Sequence, residues 1–156
     1  MKKFLLVVLA SLFVTGAFAQ DWSVGARAGA GFQAVGQYSF NKENYVEARF
    51  GLFCIPGATA DLTGLYNWHL FDWNWTPKVG TWFFDAGVGA NLGGNAGCFY
   101  IGAAGMARFG LTFKKVPISL SIDYTPVLGI NAVYHNKVYF HDAGWWNTGI
   151  TCTYNF

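Results

Sequence analysis

The sequence predicts an all-β protein: a single eight-stranded antiparallel up-and-down β-barrel whose strands cross a membrane. Three observations predict it. The chain is 53% hydrophobic and only 12% charged, yet beyond residue 19 it offers no run of the roughly 20 apolar residues that a membrane-crossing helix needs. Short segments with period-two alternation recur along its length, separated by turn residues. The third is the placement of cations. Arg27, Arg49 and Arg108 fall inside those segments, whereas Lys42, Lys78, Lys114, Lys115 and Lys137 fall in turns or loops. A wet strand face would carry lysine too, while arginine suits a dehydrated, forked ion pair.

Residues 1–19 are set apart first. Lys2 and Lys3 open the chain, an apolar run follows, and "AFA" stands just before Gln20. This pattern is a secretory signal peptide, which leaves residues 20–156 as one barrel domain. Without Lys2 and Lys3, 8 of the 10 basic side chains remain against 8 acidic ones. A net charge near zero gives no nucleic-acid footprint.

Eight strands follow in order, at roughly 22–31, 33–40, 45–53, 58–70, 80–92, 98–113, 118–125 and 144–156. "NKEN" and "KKVP" are tight polar turns, "IPG" and "GGNAG" are further turns, and residues 129–143 form the longest connection. Pro126 removes a ladder donor, so its strand ends at Thr125 or bulges there. A second topology fuses residues 22–40 into one strand and recruits 127–140 as another. An even strand count places both termini on one side.

Residues two apart in a strand share a face. In "YVEARFGLF" one face holds Val46, Ala48, Phe50 and Leu52, and the other holds Tyr45, Glu47 and Arg49. The same split recurs throughout, so that Arg27, Glu47, Arg49, Asp61, Asp85, Arg108 and Asp123 share the inner face as a structural charge cluster. The "KKVP" turn sets Arg108 opposite Asp123, and the "GGNAG" hairpin brings Asp85 beside it. The expected ion cluster is therefore Asp85–Arg108–Asp123, with Asp61 nearly opposite Arg49. Inner glycines make room for the long arginines in an interior just wide enough to be filled. Outward aromatics, among them Trp22, Tyr66, Trp68, Trp82, Phe113, Tyr154 and Phe156, collect at one set of strand ends as an interfacial girdle.

These features resemble the small outer-membrane β-barrels of diderm bacteria, the outer membrane protein A and X type. "LTGLYNWHLFDWNW", "GVGANLG", "VPISLSIDYTP" and the terminal "TCTYNF" also resemble a group of small porin-like proteins. The resemblance implies an outer-membrane location among lipids and lipopolysaccharide. It also implies that the barrel assembly machinery recognises Phe156. Unlike larger members of that family, the chain is expected to end with its barrel, without a peptidoglycan-binding domain.

The chemistry expected is slight. His69, Ser119, Ser121 and Asp123 could be drawn as a triad across the lumen, but a serine ladder fits plain interior packing. His135, His141 and Asp142 lack metal-ligand spacing, and the glycine-rich stretches lack a phosphate-cradle pattern. No catalytic residue, metal or cofactor is assigned. Cys152 points outward as a free thiol; Cys54 and Cys98, on strands that are not neighbours, are the pair available for a disulfide. The expected function is a non-catalytic envelope-structural or surface-interaction barrel with a plugged interior. The alternatives are a lipid-modifying barrel enzyme and soluble folds, a sandwich or a lipocalin-like barrel.

Overall fold

In the computed structural model the chain closes into an eight-stranded antiparallel up-and-down barrel, and the described residues contain no helix. The residues described are 21–29, 31–52, 60–95, 98–133 and 137–156. The expected leader, residues 1–19, lies outside them, as does Cys54.

Five staves of the wall are single strands in chain order: β1 (Trp22–Ala28), β2 (Phe32–Ser39), β3 (Asn44–Leu52), β4 (Ala60–Trp73) and β5 (Gly80–Asn95). A sixth is β6 (Cys98–Phe113). The last two are each broken in the middle. β7 (Ile118–Tyr124) and β8 (Val127–Val133) lie end to end along β6, pairing with its 107–112 and 98–104 portions in turn. β9 (Lys137–Gly144) pairs with β8, and β10 (Thr148–Asn155) pairs with β7 and β1. The β1–β10 ladder, Ser23↔Asn155 to Ala28↔Ile150, closes the cylinder.

Two breaks face each other. Pro126 has no N–H to give, but its carbonyl accepts from Gly105 N at 3.0 Å, so the ladder loses one bond without ending. At the same level Thr125 N donates to the Asn147 carbonyl at 2.8 Å. Residues 129–143, expected as the longest loop, are therefore mostly strand. "VLGINAV" and "VYFHDAG" prolong the last hairpin, with a bulge between Val127 and Gly129. Residues 22–40 are two strands, not one: the turn between β1 and β2 is fixed by Gly29 N to Gly31 O, 2.9 Å.

A second bulge sits in β4, between His69 and Phe71. There the alternation stops in the sequence itself, since Leu70 and Phe71 are adjacent and both exposed. The extra residue reverses the parity of everything after it, and β4 runs on to Trp73 instead of ending at Leu70.

Side-chain placement is inverted relative to a water-soluble domain. The buried set is mostly polar, led by Arg27, Arg49 and Glu47, while Phe50, Leu62, Val88, Ile101, Ile122 and Ile150 lie on the outside. Glycine fits this lumen where an arginine must pass. A Cβ on Gly149 would stand 2.6 Å from the Arg27 guanidinium carbon, whereas one on Gly64, on the outer wall, would meet nothing within 4 Å. Gly149→Ala is therefore expected to lower stability by about 1–3 kcal/mol through overpacking, and Gly64→Ala to leave it level or raised. Equal denaturant midpoints for the two variants would show that Arg27 does not need that space.

Candidate functional site: the charged lumen and its vestibule

The lumen is held by a continuous set of side-chain hydrogen bonds. Arg27 Nε donates to Asp123 Oδ1 at 2.8 Å, and Arg49 reaches the same carboxylate at 3.3 Å through an Nη. Thr151 and Thr125 hydroxyls donate to Asp123 at 2.7 and 3.0 Å. Arg49 Nε is also bonded to Glu47. Glu47 receives Arg108 at 2.8 Å and Gln37 Nε2 at 2.6 Å. From Arg108 the path continues to the Tyr45 hydroxyl at 3.0 Å, which donates to Asp85 at 2.7 Å. His69 Nδ1 lies 2.7 Å from the other oxygen of Asp85.

The register sets Asp85 opposite Arg108 and Arg108 opposite Asp123, yet Arg108 forms its ion pair with neither. Cross-strand neighbours project side by side. An arginine stem carries its guanidinium past a short aspartate toward the middle of the lumen. Arg108 therefore meets Glu47 from the opposite wall, and Asp85 is linked to it only through Tyr45. The expected Asp61–Arg49 pairing is also replaced. Arg49 stands opposite Thr63, and Asp61 lies two residues further on, opposite Gly51. Asp61 is held instead by Gln33 Nε2 at 3.1 Å, Asn91 Nδ2 at 3.2 Å and, more distantly, the Thr63 hydroxyl at 3.4 Å.

Below this network, at the end that carries both described termini, the lumen opens into a polar vestibule of about 470 Å³. Tyr45, His69, Asp85 and Arg108 line it, with Asp21, Lys42, Asp72, Ser119, Ser121 and Asn155. The β4 bulge shapes this mouth. His69 and Asp72 are three apart and would lie on opposite faces of a regular strand; the extra residue turns both inward, and His69 Nε2 reaches Asp72 at 3.1 Å. Both imidazole nitrogens are thus taken by carboxylates. Ser119 Oγ is bonded to Thr112 and Asn155, Ser121 Oγ to the Thr151 carbonyl, and Asp123 to arginines and threonines. The Ser–His–Asp grouping drawn from the sequence does not assemble. Among the described residues, no three His, Cys, Asp or Glu side chains converge on a metal-sized space.

Outside, aromatic rings follow the same end of the barrel. Trp22, Tyr38, Phe40, Tyr66 and Trp68 form an unbroken series with successive centroids 5.0, 5.3, 6.4 and 5.2 Å apart. Tyr154 and Phe156 make a further edge contact at 5.1 Å. Trp82 belongs to a second cluster with Phe71, Trp73, Trp75 and Phe109; Phe113, at the end of β6, is partly covered. Sequence reasoning passed over Trp73 and Trp75 because the extension of β4 past its bulge was not foreseen. The paired apolar residues of "HLFDW" are the signal that marks it. Cys152 is a free, exposed thiol.

Comparison of the chain with protein-family models, with curated proteins and with solved structures returns no match.

Removing the Arg108 guanidinium leaves Glu47 with one cation fewer and unties Tyr45. Arg108→Ala is expected to cost about 3–5 kcal/mol, the usual penalty for breaking a buried pair. The double variant with Glu47→Gln should recover part of that loss, because the stranded charge is gone. Strictly additive unfolding free energies in this double-mutant cycle would mean that the two groups are uncoupled.

Proposed function

We propose that this chain is an integral outer-membrane β-barrel with a plugged, charged interior and a non-catalytic role in envelope structure or surface interaction. One observation carries the reading: the charges are on the inside and the apolar side chains on the outside. Soluble monomers rarely show apolar patches beyond a few hundred Å², and burial is worth roughly 25 cal/mol per Å² of apolar surface. A wall bearing Phe50, Leu62, Val88, Ile101, Ile122 and Ile150 is unfavourable in water and favourable in lipid. In a bilayer every backbone group must be satisfied within the protein, which a closed barrel achieves. The ring series from Trp22 to Trp68 fits the interfacial level of such a barrel.

In this reading both termini and the vestibule face the periplasm, and the β8–β9 hairpin stands at the external end. The environment is outer-membrane lipid and lipopolysaccharide, and delivery is by the barrel assembly machinery through Phe156. The packed arginine–carboxylate lumen favours a closed plug over a solute channel. The expected outcome is heat-modifiable gel mobility of the detergent-extracted protein together with recovery in the outer-membrane fraction. One unchanged band before and after boiling, with recovery in the soluble fraction, counts against the proposal. Liposomes carrying the protein should not swell in sugar solutions; swelling at porin rates would argue for an open path. An unaltered lipid A mass profile after gene deletion separates this role from a lipid-modifying enzyme.

A further inference from the structure

Among the described residues, six of the seven lumen charges have a counter-charge and one does not. Asp123 is matched by Arg27 and Arg49, Glu47 by Arg49 and Arg108, and Asp85 by His69. Asp61 is 3% exposed and forms no salt bridge among the described residues. Its donors, Gln33, Asn91 and Thr63, are all neutral, and the guanidinium on that path, Arg27, stops at Gln33 Oε1, 3.1 Å away. All three donors act on Oδ2, and Oδ1 has no partner. The Asn91 amide lies beside the carboxylate, is 1% exposed, and its own Oδ1 is likewise unpartnered. A buried carboxylate held only by neutral donors keeps most of its desolvation cost. A water could satisfy the hydrogen-bonding capacity of Oδ1 but would leave the charge.

We propose that Asp61 and Asn91 form a site for an alkali cation, sodium, inside the barrel. The free donors are oxygens, a carboxylate and an amide carbonyl, which suit a hard cation. A single uncompensated negative charge matches a monovalent ion, whereas calcium sites gather several carboxylates in a cage of six to eight oxygens. The site depends only on the lumen and stands whether or not the barrel resides in a membrane.

Linkage tests it. The full chain is folded in non-ionic detergent at neutral pH and its unfolding equilibrium measured as choline is replaced by sodium at fixed ionic strength. Once sodium exceeds the dissociation constant, each tenfold rise should increase the folded-to-unfolded ratio about tenfold. Asp61→Asn, near-isosteric and uncharged, should abolish that dependence. Asn91→Leu keeps the carboxylate and should move the response to higher sodium, which keeps the test decisive if Asp61→Asn does not fold. A wild-type ratio indifferent to sodium, an unchanged response in Asp61→Asn, or an unshifted one in Asn91→Leu would overturn the assignment.

Discussion

Charge buried in a low-dielectric space has to be answered by charge, and the interior of this barrel is organised around that requirement. At an effective dielectric of about 20, a pair 4 Å apart gains roughly 4 kcal/mol, while desolvation costs several kcal/mol per ion. The two nearly cancel, so the network adds little net stability. Its effect is selective: any arrangement that leaves a guanidinium or carboxylate unmatched is penalised in full. Arg108 illustrates this by crossing the lumen to Glu47 instead of resting between its two strand neighbours.

Several features of the wall follow from that interior. A one-residue slip of any strand would carry its charges to the apolar outside and its apolar residues into the lumen. The strand pairings that place Arg27, Glu47, Arg49 and Asp123 inside are therefore defended on both faces. Gly149 leaves the space that the Arg27 side chain occupies. The bulge after His69 lets one strand change the parity of its faces at the lumen's mouth, so that Asp72 joins His69 while Phe71 and Trp73 stay on the outer surface.

Much of this was legible in the sequence because it rests on parity. Strand residues two apart share a face, and arginines confined to strands, with Lys42, Lys78, Lys114 and Lys115 in turns, already distinguish a sealed interior from a wet one; Lys137, expected in a loop, is instead the first residue of β9, because the last hairpin is prolonged. What parity cannot give is the depth of a side chain's tip. Register alone makes Arg108 and Asp123 partners, but their charged ends stop at different distances from the wall. Parity also fails wherever a residue is inserted, which is why the extension of β4 to Trp73 was missed. At Pro126 the sequence leaves a strand end and a bulge both open; the structure has an interruption there, because the carbonyl of a proline still bonds. The neutral set around Asp61 was missed for a related reason: Gln33 and Asn91 carry no charge, and nothing local to β2 or β5 announces that they converge on β4.

The ladder that completes the cylinder joins residues 23–28 to 150–155, the two most distant parts of the described chain. Among the described residues no other pairing spans so much sequence, and loop-closure entropy makes such contacts slow to form. Until that seam zips, β1 and β10 each present an open edge able to recruit a foreign strand. Folding of this chain thus has a natural last step. A pulse-labelled nascent protein would remain an open, adhesive sheet until its final strand had been delivered to its first.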